Sequence, residues 1–386
     1  MSSGWDAALI TPPGVAAIAV IALRGKIDFD LLESRFQLRQ GKALRQIELR
    51  AIHVAAFLHD ESDAAEEIVV TRRAEHVYEI QCHGGYRAAA SILRTLAKLG
   101  AKVTTAEQWN RLEEECPLSA EARIALSEAK AHQPTRVLLD QLRGALQKEL
   151  RLAISELEER DFQSCHSRLV ELHQRARVGL KLVSGFRVAL LGQPNVGKSS
   201  LLNALLGYGR AIVLSEPGTT RDVITADAAF GGWPVTLQDM AGVRESDDAI
   251  ESEGIRRALA SAADADLVLL ISDATQPWSP TDSHLASQYR DALLVHNKCD
   301  LVQAEIPRPR GIFVSARTHV GLRELEVALL ERLIQPKLTT GDAIPFTPSQ
   351  VKSIARAASF AKAGDASNSR ETLLQLLLKP SYADAT

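Results

Sequence analysis

The segment Gly192–Ser199, with the sequence GQPNVGKS, constrains the fold of this chain more than any other. It follows the apolar run Phe186–Leu191, and a strand followed by a loop and a helix is the context in which G-x-x-x-x-G-K-[ST] binds phosphate. Glycines let successive backbone N–H groups turn toward phosphate oxygens, and the helix N-terminus favours negative charge. Lys198 supplies a positive charge for the outer phosphates, and Ser199 a hydroxyl for Mg²⁺. The segment therefore predicts a P-loop nucleotide-binding domain.

A second strand ends at a carboxylate. Val235–Asp239 reads as a strand, and the chain continues Met240-Ala241-Gly242, which completes a D-x-x-G pattern. An aspartate at this place holds the Mg²⁺ shell, and the glycine N–H faces a γ-phosphate. The pattern predicts a binding site for a nucleoside triphosphate.

Two further loops predict that the base is guanine. The apolar run Leu293–His296 leads into Asn297-Lys298-Cys299-Asp300, an N-K-x-D pattern. A carboxylate that accepts from N1–H and the exocyclic amine suits guanine and leaves adenine unpaired. A later strand leads into Ser315-Ala316-Arg317, a loop expected beside the base. With all four motifs in order, we predict a GTP-binding domain.

Composition limits the remaining choices. A chain of 386 residues is long enough for two or three domains. A net charge of −3 gives no general attraction to nucleic acid. The four cysteines form no C-x-x-C pair, which argues against a zinc site and favours a reducing compartment. We find no signal sequence and no apolar stretch long enough to cross a membrane, so we expect a cytoplasmic protein.

The predicted fold is multidomain α/β. Residues 1–105 read as an α+β domain with a strand at Val15–Leu23, and residues 106–184 and 337–386 read as two parts of one helical domain. Residues 185–336 carry the strand–helix alternation of a parallel-sheet P-loop domain. The final two short helices cannot bury themselves alone, so we expect them to pack on the upstream helices. The P-loop domain is then an insertion in a helical domain.

The helical segment has two interpretations. Its leucines recur at helical intervals, with charged residues on the other faces. This pattern favours a helical bundle, and a dimer arm is the alternative. The leucine stripe includes Leu138, Leu142, Leu146, Leu150 and Leu152.

Hydrolysis needs a group that positions water. Val243 follows the D-x-x-G where Ras-type GTPases have a glutamine, and valine cannot orient water. Glu251, just downstream, is a candidate, and an exposed acid at a helix start is the alternative. The side-chain oxygen of Asn195 suits a monovalent cation at the phosphate edge, although a simple polar loop residue fits equally well. Thr220, in Gly218–Asp222, is the candidate for a second Mg²⁺ hydroxyl.

These residues resemble one known family. The segments GQPNVGKSS, GTTRD and D-x-x-G, together with Arg244 and Glu251, resemble the tRNA-modification GTPases MnmE/TrmE. Thr11-Pro12-Pro13-Gly14 is similar to the family's near-N-terminal T-P-P-G, and the segment Glu79–Gly85 to its E-x-x-x-H-G-G. For His83 itself we favour a strand-ending turn.

The resemblance implies a function and its cofactors. It implies a homodimer that hydrolyses GTP with Mg²⁺ and K⁺ and, with an MnmG/GidA-like flavoprotein, modifies the wobble uridine of tRNA. It places Mg²⁺ at Ser199 and Thr220, and gives Glu251 and Lys198 catalytic roles. It implies 5-formyltetrahydrofolate near Glu79. The residues it assigns to K⁺ are Asn195, Leu214, Glu216 and Thr219. The residues expected at the nucleotide and its ions are Asn195, Val196, Gly197, Lys198, Ser199, Ser200, Leu214, Ser215, Glu216, Pro217, Gly218, Thr219, Thr220, Asp239, Met240, Ala241, Gly242, Asn297, Lys298, Asp300, Ser315, Ala316 and Arg317.

Three departures from the family pattern keep a second function open. The family closes with C-x-G-K, whereas this sequence has no cysteine beyond Cys299. The family's arginine after T-P-P-G falls on Ala22, with Arg24 two residues on along the same strand face. The stretch with the family's folate-side lysine is replaced by Thr104–Leu118. The alternatives are a GTP-dependent switch or assembly protein without tRNA-modifying chemistry, and a folate-binding module with a regulatory GTPase.

Overall fold

Two compact units, Met1–Glu115 and Cys116–Thr386, make up the chain. The structure, a computed structural model, describes residues 4–11, 16–39, 41–59, 65–114, 116–208, 210–211, 224–239, 264–303 and 306–378. None of the helices in these ranges is long and apolar enough to span a bilayer.

The first unit is a seven-stranded sheet with the order β3-β4-β5-β6-β2-β1-β7. The pairs between neighbouring strands are antiparallel except for the parallel pair β1–β7. One sheet face packs on α2 and forms the core around Ile21, Ile80 and Ile92. The elements are β1 (Trp5–Leu9), β2 (Ile18–Gly25), α1 (Phe29–Glu33), β3 (Phe36–Leu38), β4 (Ile52–Leu58), β5 (Ala65–Ala74), β6 (Val77–His83), α2 (Tyr86–Lys98), β7 (Ala101–Thr104) and α3 (Ala106–Glu113).

The first unit extends beyond the boundary predicted at residue 105. Helix α3 starts with a capping box, in which the Thr105 hydroxyl accepts from the Gln108 N–H. Its Trp109 is buried against Ala8 and Ala22 on the sheet face opposite the main core. Because this contact anchors α3, the helix belongs to the first unit. The boundaries predicted at 184 and 336 lie inside the second unit and stay predictions.

The second unit combines helices with a second seven-stranded sheet. The sheet order is β14-β13-β12-β8-β11-β10-β9, and the strands from β11 to β14 in this order are parallel. The strand Leu267–Asp273, absent from the sequence interpretation, runs beside the P-loop strand. The elements are α4 (Pro117–Glu128), α5 (His132–Leu142), α6 (Ala145–Glu158), α7 (Phe162–Gly179), β8 (Phe186–Leu191), α8 (Lys198–Tyr208), β9 (Arg210–Ala211), β10 (Ile224–Phe230), β11 (Trp233–Asp239), β12 (Leu267–Asp273), α9 (Pro280–Gln288), β13 (Leu293–Asn297), β14 (Ile312–Phe313), α10 (Leu322–Leu333), α11 (Pro348–Lys362) and α12 (Ala366–Leu377).

The two last helices return to the upstream helices, as predicted. Leu150 of α6, Leu169 of α7, Ile354 of α11 and Leu373 of α12 share one buried cluster. Gln350, fully buried at the start of α11, donates to the Glu121 carboxylate of α4 at 2.6 Å. The chain leaves this helical layer after α7 and re-enters it at α11, so the P-loop domain is an insertion in a helical domain.

The inserted sheet shares a core with the helices that precede it. Leu138 of α5 and Val178 of α7 belong to the same buried cluster as Phe186 of β8 and Trp233 of β11. The Gln133 N–H at the start of α5 donates to the carbonyl of Gly232, in the β10–β11 turn, at 3.0 Å. Apolar and polar contacts therefore join this part of the helical layer to the sheet.

One local prediction was wrong. Leu152, counted in the leucine stripe, is 40% exposed, because α6 turns that position away from the cluster. The segment before the last helix is a short turn. The carboxylate of Asp365 accepts from the Asn368 N–H at 3.1 Å and caps a helix that begins at Ala366.

Candidate nucleotide-binding site

The loop between β8 and α8 has the backbone conformation that its glycines predict. Gly192 has φ +153°, and a Cβ there would lie 2.2 Å from the Ile271 carbonyl oxygen. Gly197 has φ +91°, and a Cβ there would lie 2.4 Å from Asn297 Nδ2. Asn195 also has positive φ, 62°, a region that asparagine tolerates better than most residues. These positions explain why the loop needs glycine and asparagine.

Lys198 lies at the centre of this loop. Its Nζ donates to the carbonyl oxygens of Gly192 and Gln193, both at 2.8 Å, and the side chain is 8% exposed. A lysine held by the loop's own carbonyls carries its charge to the place where phosphate oxygens are expected. The role of Lys198 at the phosphates stays a prediction of the motif.

Ser199 and Asp239 meet at the edge of the loop. The Ser199 hydroxyl donates to Asp239 Oδ2 at 2.5 Å, and Asp239 is 1% exposed at the end of β11. The parallel pairing of β8 and β11 brings the two motifs together. Hydroxyl and carboxylate oxygens are donors that Mg²⁺ prefers, so these side chains could hold it. Within the described ranges, no three His, Cys, Asp or Glu side chains form a metal cluster.

Asn297 connects three loops. Its Nδ2 donates to the carbonyl oxygens of Val196 at 2.9 Å and Gly197 at 3.4 Å. Its Oδ1 accepts from the Ala316 N–H at 3.1 Å, and the residue is 1% exposed. The N-K-x-D loop, the P-loop and the S-A-R loop are therefore fixed to one another by a single side chain.

Lys298, in the N-K-x-D loop, connects the P-loop to the end of β12. Its Nζ donates to the Asn195 carbonyl at 2.8 Å and to Asp273 Oδ2 at 2.6 Å. Burial alone would raise the pKa of Asp273, but hydrogen bonds from Lys298 and Thr275 outweigh it and lower that pKa. The Asp273 carboxylate therefore stays charged beside Lys298.

The P-loop, the N-K-x-D loop and the S-A-R loop, with the side chains that join them, form one frame. The remaining base-side residues lie around this frame. Ser315 is fully buried, and its hydroxyl accepts from the Thr318 N–H at 3.0 Å, which shapes the S-A-R loop. Asp300 is exposed just after Asn297 and Lys298, and Arg317 is exposed beside Ala316. The predicted Ser200 is exposed in the first turn of α8. An exposed carboxylate beside the frame is available to accept from a guanine edge.

Sequence reasoning missed three residues of the frame: Gln193, Asp273 and His296. Gln193 Nε2 donates to the Ser279 hydroxyl at 2.7 Å and to Asp282 Oδ1 at 2.9 Å, which fixes the P-loop to the start of α9. Asp273 had a signal in the sequence, since it comes at the end of an apolar strand, Leu267–Asp273.

His296 is fully buried directly before Asn297. Its Nε2 lies 3.0 Å from the Pro309 carbonyl, which can only accept, so Nδ1 accepts from the Ser272 hydroxyl at 2.8 Å. Burial lowers the pKa of His296, and the ring is neutral at pH 7.

Several predicted residues lie outside the described residues. They are Leu214, Ser215, Glu216, Pro217, Gly218, Thr219, Thr220, Met240, Ala241, Gly242 and Glu251. Their assigned roles stay predictions.

Glu79 lies in the first unit, on the sheet face opposite the main core. Its carboxylate is 3.3 Å from Arg73 Nη1 and accepts from Gln81 Nε2 at 3.4 Å. Arg24 pairs with Asp6 at 3.3 Å, and its guanidinium lies 4.7 Å from the centre of the Trp109 ring. Both charged side chains therefore already have partners within the unit.

The turn after β6 supports the structural interpretation of His83. His83 Nδ1 lies 2.6 Å from Glu66 Oε1. A Cβ on Gly84 would lie 1.8 Å from the Ala16 carbonyl oxygen, and the Gly84 N–H donates to the Ala17 carbonyl at 2.9 Å. Glycine here lets the turn contact the segment that follows T-P-P-G.

Comparison with known proteins gives the family. Residues 187–298 match the family model described as 50S ribosome-binding GTPase. The tRNA modification GTPase MnmE of Fervidobacterium nodosum is 33% identical over 364 residues, which are 84% of this chain and 79% of that protein. The MnmE of Wolinella succinogenes is 36% identical over 336 residues, 76% of this chain and 72% of that protein. The crystal structure of the G domain of the T. maritima FeoB iron transporter is similar at 29% identity, covering 38% of this chain and 98% of that one, with a TM-score of 0.29.

The relatives match far beyond the P-loop domain, and the geometry of the nucleotide motifs agrees with them. The chain is a GTP hydrolase and belongs to the MnmE/TrmE family of tRNA modification GTPases.

Proposed function

We propose that this protein hydrolyses GTP as part of the modification of the wobble uridine in tRNA. The observation that carries this proposal is the extent of the match, because relatives named tRNA modification GTPases align with 84% of the chain and not only with its P-loop domain. The partner would be an MnmG/GidA-like flavoprotein. GTP hydrolysis would drive domain rearrangement around the reaction.

Mg²⁺ fits the residues that the structure brings together. The Ser199 hydroxyl and the Asp239 carboxylate supply hard oxygen donors at the phosphate end of the site. We assign the second hydroxyl to Thr220 from the sequence motif. Held by these oxygens, Mg²⁺ would neutralise charge that develops on the phosphates, while Lys198 adds a fixed positive charge from the loop.

K⁺ is assigned to Asn195, with Leu214, Glu216 and Thr219. The Asn195 carbonyl is bound by Lys298, and its side chain makes no hydrogen bond to another residue in the described ranges, which leaves an amide oxygen for a monovalent cation. We expect GTP hydrolysis to be faster in KCl than in NaCl at equal ionic strength. Equal rates in the two salts would remove this role.

Glu251 is the proposed water-positioning residue. Removing a group that acts only in the transition state lowers kcat without changing nucleotide affinity. We expect Glu251→Ala to slow turnover and leave GDP affinity nearly unchanged, with Glu253→Ala as the matched control. If Glu251→Ala turns over at the wild-type rate, the role belongs to another residue.

Two further roles implied by the family have different support. We propose a homodimer, to be measured as molar mass in solution with and without GDP and aluminium fluoride.

We do not propose a 5-formyltetrahydrofolate site, because Glu79 is already bound by Arg73 and Gln81, and Arg24 by Asp6.

The test of the whole proposal is nucleoside analysis of tRNA. A strain without this gene should lack the wobble-uridine side chain, and a plasmid carrying the wild-type gene should restore it. A Lys198→Met version should fail to restore it, because the loop loses its charge. If the modification persists in the deletion strain, the alternative function, a GTP-dependent switch or assembly protein without modifying chemistry, takes its place.

A further inference from the structure

Arg308 makes an unusual set of contacts beside the guanine-side loops. Its guanidinium donates to the carbonyl oxygens of Asp273 at 3.3 Å, Ala274 at 2.7 Å and Gln276 at 3.2 Å. These three carbonyls belong to the last residue of β12 and to the turn that follows it. One side chain therefore fixes the backbone of a turn that is distant in sequence.

The contacts suit arginine and no other residue. A planar guanidinium presents several N–H donors in a fixed fork, whereas lysine is a single flexible point charge. Nε of Arg308 also donates to the Ile306 carbonyl at 3.3 Å, and its guanidinium carbon lies 5.8 Å from the centre of the Phe313 ring. Among the residues whose positions the structure gives, no carboxylate pairs with Arg308. Its role is to hold carbonyl groups in place.

The turn that Arg308 holds is connected to the P-loop in two steps. Asp273 Oδ2 accepts from Lys298 Nζ at 2.6 Å, and the same Nζ donates to the Asn195 carbonyl at 2.8 Å. Asp273 Oδ1 accepts from the N–H of Thr275 at 2.8 Å, within the same turn. The position of the Asp273 carboxylate therefore depends on the turn, and the position of Lys298 depends on that carboxylate.

The loop that carries Arg308 is itself fixed beside the N-K-x-D motif. The buried His296 donates from Nε2 to the carbonyl of Pro309, the next residue after Arg308. This bond keeps Arg308 close to the turn. The strand end that carries Asn297 and the loop that carries Arg308 thus hold each other.

We propose that Arg308 is a positioning residue of the guanine pocket, which holds Lys298 in place through the 273–276 turn and so sets how long GDP stays bound. Without the guanidinium, the three carbonyls lose their shared donor, and the Asp273 carboxylate can move with the turn. Lys298 then loses one of its two partners, and the link between the base loop and the P-loop loosens.

The test measures release of a fluorescent GDP analogue from the full chain. For Arg308→Ala we expect release about tenfold faster, the effect of losing one hydrogen bond from a charged group. For Arg308→Lys, which keeps the charge but not the fork, we expect an intermediate rate. Arg310→Ala, an exposed arginine two residues further on, is the matched control and should release at the wild-type rate.

A double-mutant cycle separates positioning from general destabilisation. If Arg308 acts through Asp273, Asp273→Asn combined with Arg308→Ala should release GDP no faster than the more severe single variant. Fully additive effects would overturn the proposal, as would wild-type release from Arg308→Ala with a lowered thermal midpoint. Should Arg308→Ala not fold, the lysine variant decides, because wild-type release from it would also overturn the proposal.

Discussion

Replacing Asn297 by alanine tests whether the frame of loops determines nucleotide affinity. The substitution removes the donor to the Val196 and Gly197 carbonyls and the acceptor for the Ala316 N–H. Because the site is 1% exposed, these backbone groups lose their partners in a place that water reaches poorly. An unsatisfied buried group costs about 1–3 kcal/mol.

In the nucleotide-free Asn297→Ala protein the loops relax, and one part of this cost is avoided. The second part is the free energy needed to bring the loops back together when nucleotide binds. We take about 2 kcal/mol for the second part, which corresponds to about 30-fold weaker GDP binding. The assay is calorimetric titration of GDP with Mg²⁺ present, on protein whose circular dichroism spectrum is unchanged.

Asp300→Ala provides the contrast that identifies the mechanism. The Asp300 carboxylate is expected to read the exocyclic amine of guanine, which inosine diphosphate lacks. Asn297→Ala should therefore weaken GDP and inosine diphosphate equally, whereas Asp300→Ala should weaken GDP more. A folded Asn297→Ala protein with GDP affinity within about threefold of wild type would refute the reasoning, since that difference is below about 0.7 kcal/mol.

Three other perturbations have defined outcomes. Gly84→Ala should destabilise the first unit by more than about 2 kcal/mol in urea unfolding, since its Cβ would meet a backbone oxygen at 1.8 Å, whereas Gly85→Ala, with no atom within 4 Å of its Cβ, should not. Gln350→Ala should lower the free energy of unfolding by about 1–3 kcal/mol, against a change within about 0.5 kcal/mol for the exposed Lys352→Ala. The pKa of His296 lies below its usual 6.5 in the folded state, so the unfolded chain binds that proton more readily and the thermal midpoint should fall as the pH drops below 6.5. A His296→Asn protein should lose that part of the pH dependence.

The nucleotide site was predictable because its signals are local. A P-loop needs particular residues at fixed spacing, so Lys198, Ser199 and Asn297 could be located from the sequence and were found together. The insertion of the P-loop domain was also predictable, since two short terminal helices need an apolar partner.

The missed features depend on contacts between distant segments. Arg308 gains its role only when its loop meets the turn after β12, about 35 positions earlier in the chain. The first unit continues past residue 105 because Trp109 packs back on β1 and β2, a contact that no local sequence pattern indicates. The strands β1, β3, β4 and β7 were missed because they are short or mixed in composition. They are stabilised by pairing with neighbouring strands of the sheet.

The core shared by the inserted sheet and the helices has a consequence for how the protein responds to GDP. A fragment of residues 185–336 would uncover Phe186 and Trp233, which contact the cluster that includes Leu138 and Val178. Such a fragment should aggregate unless α5 and the end of α7 are retained. In the intact chain, a ligand that binds only the folded form stabilises everything that unfolds with its site. Nucleotide should therefore slow hydrogen exchange in α5 and the end of α7 as well as in the strands that hold it.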